Sequence, residues 1–407
     1  MTLKNATDKK KKDRGCIAML VHGHYPNDTR VRRQAECLAE GGFEVHVVAL
    51  KEKTRQPSFE VINKVCVYRM PLRKKRGNKI RYFFEFTVMT LFSIWKLAFL
   101  HLKKKFDVIH VNNMPDFLII AGLIPRLTGA VLVLDVHDPM SELFQETYQV
   151  NETHLMIRLL KWQEWISYRL ANHLVTVNDP MAENVAKKRG CPKETVKIVH
   201  NLPDLKVFPI CEDKTNWPNN RKSFVLLYSG TVTEHYRLDI AVRAIAKVSQ
   251  DIPNIRFRIL GRGSSLQRVL DLAKDLGISD KVEHLESVDI DMVKNIIVEA
   301  DVGISTHQSG VFGNLYFSTK IIEFMTQGLP VISSRTLTIE KYIPEDSIFY
   351  FEPEQVEDLA KQILLVYNNP AIVLEKIRNS KKLLSRYNWE EESSRFLALY
   401  GDLMKSN

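Results

Sequence analysis

Hydrophobic and polar positions follow two different patterns along this chain, and together these patterns predict an α/β protein. From residue 15, short and mostly apolar runs such as CIAMLVHG, EVHVVAL and AVLVLDVHD are typical of buried parallel strands. Between them lie segments with helical spacing, such as RVRRQAECLAEGG, which ends in two glycines. This alternation of strand and helix is typical of a doubly wound sheet.

The alternation of strands and helices is interrupted once and then resumes, which predicts two domains. Around residues 203–222 the chain has three prolines and many polar residues, as a linker would. We expect a basic disordered tail at 1–14, a first Rossmann-like domain at 15–205, a linker at 206–222 and a second Rossmann-like domain at 223–385. The remaining residues, 386–407, predict a helix that packs back on the first domain. A length of 407 residues also exceeds what one ordinary core holds.

Polar side chains follow several of the predicted strands at the point where each strand ends. In doubly wound sheets, ligands bind beyond the carboxyl ends of the strands. The residues at such ends in the first domain are His22, Gly23, Asn112, His137, Asp138 and Asn178.

The stretch STKIIEFMTQGLPVISS, residues 318–334, places one carboxylate in an otherwise apolar helix. Glu323 at the carboxyl edge of a sheet is suited to accept hydrogen bonds from a ribose diol. Lys320 lies on the same helix face and suits a diphosphate, while Ser318 and Thr319 lie at the helix start, where anions bind. The alternative is a capping motif with an exposed Lys–Glu pair.

Composition and charge narrow the class of partner. The hydrophobic content of 45% indicates a folded protein, and the net charge of +10 favours an anionic partner. The five cysteines are scattered without a CxxC pair, which argues against a zinc site or a disulfide framework. The basic start of the chain lacks the apolar core of a signal peptide.

Residues 69–105 combine a basic run with an aromatic-rich helix. On a helical wheel the charged residues Arg81, Glu85, Lys96 and Lys103 fall on one stripe. A helix of the domain with a solvated stripe, a helix in a membrane interface and a true membrane span are the three interpretations. The basic run beside aromatic residues favours contact with an anionic membrane surface over nucleic acid binding, since a nucleic-acid binder would carry its charge in the ligand cleft.

Several motifs together resemble the retaining glycosyltransferases of family 4, which have the GT-B fold. HGHYPNDTRVRRQAECLAEGGFEVHVVAL resembles the family's glycine loop and first helix, and FDVIHVNN resembles one of its strands. STKIIEFMTQGLPVISS resembles the donor-site block, and NWEEESSRFLALY the closing helix. The likeness extends from about residue 15 to residue 402. It implies an α/β fold of two Rossmann-like doubly wound domains that face each other across a cleft.

The resemblance implies a role for each matching residue. Lys320 and Arg237 would neutralise the donor diphosphate as it leaves, and His137 would lie near the transferred sugar. Glu323 would bind the donor ribose, and Arg262 would lie near the base. Further donor-binding residues would be Gly23, Ser229, Gly230, Ser318 and Thr319. No metal and no cofactor is expected, because such sites rely on side-chain cations.

Three features temper this picture. Many members carry Glu-x7-Glu, yet the first acidic position here is Leu315, which leaves the donor sugar open. The pair Asp289 and Asp291 resembles a metal-binding D-x-D, but we favour a loop with a helix cap, because a GT-B site relies on side-chain cations and needs no such metal. The glycines of GRG at 261–263 are typical of a phosphate loop or of a turn.

We expect a hexosyltransferase-type enzyme that moves a sugar, with retention, from a UDP- or GDP-sugar to a lipid-linked or glycan acceptor. Its setting would be cell-surface polysaccharide assembly, on the cytoplasmic face of a membrane as a peripheral protein. The alternatives are a GT-B epimerase or phosphorylase and a non-catalytic GT-B subunit. Leu315 is the feature that favours the non-catalytic alternative.

Overall fold

The computed structural model describes residues 14–52, 55–71, 79–211, 217–218 and 222–405. It divides the chain into two compact units. The first unit comprises residues 1–141, 152–200 and 393–407, and the second comprises residues 142–151 and 201–392.

The first unit is built on a sheet that is parallel except at one edge. Among the described residues its strands lie in the order β3-β4-β2-β1-β5-β6-β7-β8, and only β3 runs antiparallel to its neighbour. The strands are β1 (Cys16–His24), β2 (Glu44–Leu50), β3 (Phe59–Ile62), β4 (Val65–Met70), β5 (Val108–Asn112), β6 (Val131–Val136), β7 (His173–Thr176) and β8 (Val196–Ile198). The helices of this part of the chain are α1 (Thr29–Glu40), α2 (Lys79–Lys104), α3 (Leu123–Leu127), α4 (Met140–Tyr148), α5 (Leu155–Leu170) and α6 (Asp179–Arg189).

The second unit has a fully parallel sheet in the order β11-β10-β9-β12-β13-β14. Its strands are β9 (Phe224–Ser229), β10 (Ile255–Leu260), β11 (Val282–Leu285), β12 (Val302–Ser305), β13 (Val331–Ser334) and β14 (Phe349–Phe351). Its helices are α7 (Leu238–Val248), α8 (Leu266–Asp275), α9 (Ile290–Val298), α10 (Thr319–Thr326), α11 (Leu337–Tyr342), α12 (Val356–Asn368) and α13 (Pro370–Leu384). This order reverses direction between β9 and β12, which is where doubly wound sheets bind ligands.

The central strand β9 shows why its apolar sequence predicted burial on both faces. Leu226 and Tyr228 pack in one hydrophobic cluster, while Val225 and Leu227 pack in another on the opposite face. Successive strand residues point to opposite faces, so a strand covered by helices on both sides must be apolar throughout. The predicted α/β class with two Rossmann-like domains is confirmed.

The predicted linker differs from the structure in its first part. Phe208 is buried in a core cluster of the second unit, and Val207 and Ile210 pack against the same cluster. Gln327 donates a hydrogen bond to the carbonyl of Pro209, which ties this segment to the end of α10. Apolar residues between the prolines therefore dock on the second unit, whereas residues 212–216 and 219–221 lie outside the described residues.

The last helix, α14 (Trp389–Lys405), spans the boundary between the units in sequence, and residues from Ser393 onward belong to the first unit. Within that unit, the buried Tyr400 hydroxyl forms a short hydrogen bond with His110 Nδ1. Leu397 lies close to Gly41, where a Cβ atom would meet it at 2.4 Å. The end of the chain is thus part of the packing of the first unit.

Helix α2 presents a different face from the predicted charged stripe. Glu85 is buried, 3.7 Å from His22 Nε2, and Met89, Ser93 and Leu97 continue its buried face. The outward face instead carries the large apolar residues Leu91, Trp95, Phe99 and Leu102. The stripe interpretation is therefore wrong at Glu85, whose carboxylate is buried beside His22 rather than solvated. Residues 72–78 of the basic run lie outside the described residues.

By length and composition, the segment Glu85–Lys104 could cross a membrane, and 33% of its apolar window is buried within the protein. The same composition occurs in helices that belong to soluble cores.

Candidate active site

The candidate site of the second unit lies at the carboxyl edge of its sheet, where β9 and β12 separate. Ser229 ends β9 and Gly230 follows it, and Ser305 ends β12. Helix α10 begins at the same edge, with Ser318 as its N-cap residue. The hydroxyl of Ser305 donates to that of Ser318 over 3.1 Å, which joins the strand end to the helix start.

The Lys320 amine is the central feature of this site. Lys320 is only 7% exposed, and within the described part of the chain its Nζ has no hydrogen-bond partner. The amine lies over two aromatic rings, 3.9 Å from the centroid of Tyr228 and 4.5 Å from that of Tyr236. Burial lowers the pKa of Lys320 to about 7, and the negative charge of the nearby Glu323 opposes this shift. A buried amine without an acceptor is a group prepared for an anionic ligand.

Two histidines complete the surroundings of this amine. His307 follows β12 and is buried, with its ring 5.4 Å from that of Tyr236. Burial and then the Lys320 charge hold the pKa of His307 well below its usual range, and the same two causes lower the pKa of His235. The imidazoles near Lys320 are therefore neutral at pH 7, so the site gains no second positive charge from them.

The four predicted residues lie together at the start of α10. Ser318 is the N-cap residue, and Thr319, Lys320 and Glu323 lie in the first turns of the helix. Glu323 is half-buried and lies near enough to Lys320 to affect its pKa. The alternative of an exposed Lys–Glu pair is wrong for Lys320, whose amine is buried and has no hydrogen bond in the described structure. The apolar residues around it, including Ile321 and Phe324, are core residues that fix the helix in place.

The glycines at this edge are required by close packing of two loops. A Cβ atom on Gly261 would lie 2.0 Å from the carbonyl oxygen of Gly230, and one on Gly263 would lie 1.9 Å from that of Val232. Gly230 and Gly261 also have φ angles of +134° and +141°, which favour glycine. The glycines of GRG thus hold the loop after β10 against the loop after β9. Arg262, between them, has an exposed side chain.

Arg237 is engaged by two carboxylates in this structure. Its Nε and one terminal nitrogen donate to Asp239, both over 3.0 Å, and the other terminal nitrogen lies 3.3 Å from Glu354. The bonds to Asp239 raise the pKa of Arg237. Arg237 follows Tyr236, so its backbone adjoins the Lys320 surroundings, while its charge is shared with acidic neighbours.

The loop between β12 and α10 is held by a carboxylate from a distant part of the chain. Glu146 Oε2 accepts hydrogen bonds from the backbone N–H groups of Phe312 and Gly313 over 3.0 and 3.1 Å. The Phe312 ring packs against His235 and Tyr316. Leu315 belongs to the same loop, where its backbone N–H donates to the carbonyl of Phe312 over 2.9 Å.

His137 of the first unit has neighbours that set its charge. Its backbone N–H donates to Asn113 Oδ1 over 3.1 Å, and its Nε2 lies 3.7 Å from Asp138. Burial and then the positive charge of Arg30 hold the pKa of His137 well below its usual range. Among the described residues its Nδ1 has no hydrogen-bond partner, so a neutral imidazole presents a free ring nitrogen at the end of β6.

Gly23, also in the first unit, lies within β1 near the start of α1. Its φ angle lies outside the left-handed region, and a Cβ atom there would meet Val21 at 3.3 Å and Asp28 at 3.5 Å. Asp28 caps α1 by accepting from the Val31 N–H. The predicted first-unit residues therefore surround the first βα turn and the end of β6.

One group in the described residues has the side chains of a metal site, namely Cys16, Glu44 and His46. It lies at the amino ends of β1 and β2, whereas the residues discussed above lie at carboxyl ends. Glu44 is already paired there with Lys104 over 2.7 Å and with His46 over 2.9 Å. Asp289 of the D-x-D pair is the N-cap residue of α9. The expectation that the reaction needs no metal remains a prediction.

Sequence reasoning missed several residues of these surroundings. His307 follows strand β12 by two residues, so the rule that polar residues after strand ends form sites would have found it. Arg30 lies in the motif that suggested the family, and it acts electrostatically on His137 and Asp138. Tyr228 looked like an ordinary strand residue, and nothing local to Glu146 indicates that it reaches a loop 166 residues away.

Comparison with known proteins agrees with this architecture. The family described as Glycosyl transferases group 1 matches residues 210–383, and the family described as Glycosyl transferase 4-like domain matches residues 28–201. Among solved structures, the chain is similar to a sucrose-phosphate synthase from Thermosynechococcus elongatus, with a TM-score of 0.77 and 20% identity over 97% of this chain and all of that one.

Two curated relatives are similar along nearly the whole chain. A human protein, named as a subunit of phosphatidylinositol N-acetylglucosaminyltransferase, is 23% identical over 94% of this chain and 75% of its own length. The chitobiosyldiphosphodolichol beta-mannosyltransferase of Debaryomyces hansenii is 22% identical over 93% of this chain and 86% of its own length. With two Rossmann-like domains, each matched by its family, the chain belongs to the GT-B glycosyltransferases of family 4.

Proposed function

We propose that this protein is a retaining glycosyltransferase that transfers a sugar from a nucleotide diphosphate sugar to a hydroxyl of a lipid-linked glycan at a membrane surface. The observation that supports it most directly is the buried Lys320 amine, which has no hydrogen-bond acceptor in the described structure. It lies at the switch point of the second sheet, on the same helix, α10, as Glu323.

The amine would act mainly on charge that develops during the reaction. As the bond between the sugar carbon and the diphosphate oxygen breaks, negative charge grows on the diphosphate. An amine with a pKa of about 7 is readily protonated when that anion arrives, because a nearby opposite charge favours the charged form. The cation is then fixed between two rings and stabilises the leaving group without reorganisation.

The other groups of α10 and its neighbours would hold the nucleotide. Glu323 would accept hydrogen bonds from the ribose hydroxyls, and the start of α10 with Ser318 and Thr319 would face the phosphates. Arg237 would contribute to phosphate binding once the phosphate competes with Asp239 and Glu354 for its guanidinium, since all three are anions and its fork suits phosphate.

The transfer itself needs no strong base on the protein. The acceptor oxygen forms its bond to the sugar carbon on the face that the diphosphate leaves, and the acceptor proton passes to the departing phosphate oxygen. This route gives retention and uses groups that the donor brings. His137, neutral and with a free ring nitrogen, would accept a hydrogen bond from the transferred sugar rather than act as an acid.

The membrane part of the proposal rests on the outward surface of the first unit. Leu91, Trp95, Phe99 and Leu102 of α2 are exposed, and Leu127 of α3 is 85% exposed. Helix α5 likewise exposes Leu155, Leu159, Trp162 and Trp165. Arg169 lies over the Trp165 ring and Lys103 over the Phe99 ring. Exposed tryptophans and leucines next to basic residues are the composition of interfacial helices.

The relatives support a lipid-linked acceptor. Their names describe transfer to phosphatidylinositol and to a dolichol diphosphate, both of which are membrane lipids. A protein with an apolar outer face on its first unit would meet such an acceptor at the bilayer surface. A peripheral position on the cytoplasmic face, where nucleotide sugars are available, is the setting that we propose.

Calorimetric titration with UDP, GDP and ADP tests the proposal, with the wild-type chain and the variant Glu323→Ala measured in parallel. We expect one nucleotide to bind selectively and the variant to weaken it. Glu340→Ala is a suitable control, because Glu340 is an exposed acid on α11 that pairs with Arg335. Binding of none of the three would contradict the proposal.

A non-catalytic binding subunit is the second candidate, favoured by Leu315 and by a relative whose name calls it a subunit. Such a protein would bind nucleotide but would release none from a nucleotide sugar when a lipid extract supplies acceptors. Nucleotide release that depends on the extract and is lost in Glu323→Ala would exclude this candidate.

A further inference from the structure

Glu146 is a buried carboxylate that lies next to the candidate donor site but has no part in the proposal above. It belongs to α4, and residues 142–151 pack with the second unit although the flanking residues belong to the first. One of its oxygens, Oε2, is occupied by the N–H groups of Phe312 and Gly313. Gly310 backs the same oxygen so closely that a Cβ atom there would lie 2.3 Å from it. The orientation of the carboxylate is therefore fixed.

The second oxygen of Glu146 is different. Oε1 is buried, and within the described residues it has no hydrogen-bond partner. A buried carboxylate oxygen without a donor is costly, since it has lost water and gained nothing in return. Such a group is expected to be satisfied by a ligand when it lies in a site.

The surroundings show which part of a ligand this oxygen would meet. The loop that Glu146 holds contacts the Lys320 surroundings through Phe312, whose ring centroid lies 5.7 Å from that of His235. Burial raises the pKa of Glu146, and the negative charge of Glu354, which is paired with Arg237, adds to this shift. Glu146 is thus linked through Phe312 to the residues around Lys320, and it lies within electrostatic reach of the partner of Arg237. Glu323 on α10 is assigned to the ribose.

The chemistry of the Glu146 carboxylate narrows the part of a nucleotide sugar to which Oε1 could bind. A carboxylate accepts hydrogen bonds and repels phosphate, so within a nucleotide sugar its partner would be an N–H group of the base or a hydroxyl of the ribose or of the transferred sugar. Sugar hydroxyls provide such donors directly beyond a diphosphate. The apolar side chain of Leu315, in the same loop, cannot accept a hydrogen bond from the sugar.

We propose that Glu146 Oε1 accepts a hydrogen bond from a hydroxyl of the sugar that is transferred, and that it selects donors by the orientation of that hydroxyl. This inference rests on the proposed function, because it requires a nucleotide-sugar donor at Lys320. Sites that hold a buried acceptor for one hydroxyl discriminate strongly against analogues that lack it, since the acceptor is then left unpaired.

The alternative is that Glu146 only anchors the loop, and Glu146→Gln separates the two roles. Glutamine keeps one oxygen that accepts from Phe312 and Gly313 but places an NH₂ group where Oε1 stands. The anchor is retained while the acceptor is lost. Glu152→Gln is the matched control, because Glu152 is an exposed acid that lies six residues further along the chain, in the first unit, and pairs with Lys161.

The experiment compares two ligands on each protein by calorimetry: the free nucleoside diphosphate and its nucleotide sugars, drawn from UDP-glucose, UDP-galactose, UDP-N-acetylglucosamine and GDP-mannose. We expect Glu146→Gln to bind the free diphosphate as the wild type does, and the preferred nucleotide sugar about 10- to 100-fold more weakly. Glu152→Gln should bind both as the wild type does.

Two results would overturn the inference while leaving the proposed function intact. The first is an equal loss of affinity for the free diphosphate and the nucleotide sugar, which would make Glu146 a loop anchor. The second is unchanged affinity for every nucleotide sugar. Failure of the wild type to bind any diphosphate or nucleotide sugar would instead overturn the proposed function, and this inference with it.

Discussion

Lys320 Nζ lies 3.9 Å from the centroid of the Tyr228 ring. This contact with the ring face replaces the hydrogen bond or ion pair that a buried ammonium group ordinarily makes. The ring faces offer the ammonium group partial compensation for lost water, about 2 kcal/mol at desolvated sites. That is less than the cost of burying an unpaired charge, and so burial lowers the pKa of Lys320 to about 7. The amine is held ready for an anion at a cost in stability.

Replacing this amine by an apolar side chain should therefore stabilise the protein and weaken ligand binding. Lys320→Met keeps the length of the side chain but removes the charge. We expect a higher midpoint of thermal unfolding at pH 6, and weaker binding of the preferred nucleoside diphosphate by about 10- to 100-fold, as for the loss of a charged hydrogen bond. Differential scanning fluorimetry and calorimetric titration measure the two effects. A variant that is less stable at pH 6 and binds normally would contradict this view of Lys320.

The same pKa sets a pH dependence of stability. In the unfolded chain Lys320 has its ordinary pKa of 10.5, and in the folded protein about 7. Between these values the unfolded chain binds more protons, so the contribution of Lys320 to stability increases as the pH rises through that window. We expect the stabilisation gained in Lys320→Met to be largest below pH 7 and to shrink toward pH 9. Unfolding midpoints of both proteins at pH 6, 7, 8 and 9 measure it, and a constant difference would argue against the lowered pKa.

Nucleotide binding should be coupled to proton uptake. Above pH 7 the amine is largely neutral in the free protein, and a bound diphosphate favours its charged form. We expect the binding enthalpy at pH 8 to vary with the ionisation enthalpy of the buffer, as the uptake of a proton requires. The variation should be absent in Lys320→Met, provided that enough binding remains to be measured. Binding enthalpies that are identical in phosphate and Tris buffers would contradict the prediction.

The glycine loops beside Lys320 should not tolerate a methyl group. In Gly263→Ala the new Cβ would lie 1.9 Å from the carbonyl oxygen of Val232, which is backbone and cannot rotate away. We expect a loss of about 1–3 kcal/mol in the free energy of unfolding and weaker nucleotide binding, because overpacking displaces the loop after β9. Gly401→Ala is the control, since nothing lies within 4 Å of a Cβ there. Equal stability of the two variants, measured by urea unfolding, would show that the loops are less closely packed.

Membrane association should depend on the exposed tryptophans of two helices. Trp95 on α2 and Trp162 on α5 are 58% and 62% exposed. We expect Trp95→Ala and Trp162→Ala each to reduce sedimentation with anionic vesicles, by about 10-fold or more in partition coefficient, since burying one large apolar side chain contributes about 1.5–3 kcal/mol. Leu337→Ala, at an exposed apolar residue of the second unit, should have no effect. Higher salt should weaken binding of all variants without removing the difference between them. Equal sedimentation of the tryptophan variants and the wild type would exclude this surface.

The sequence determined the α/β class and the strand positions, because parallel strands covered on both faces must be apolar throughout. It also determined which residues stand at strand ends, and it placed Lys320 and Glu323 on one turn of helix, since both depend only on local spacing. The tertiary structure decided what local spacing cannot. Only packing buried Lys320 between Tyr228 and Tyr236, turned Glu85 toward His22 and left apolar residues outward on α2. Only the path of the chain brought Glu146 to the loop at Phe312. Whether a charged side chain faces solvent or belongs to a site depends on its neighbours in space, and those neighbours are distant in sequence.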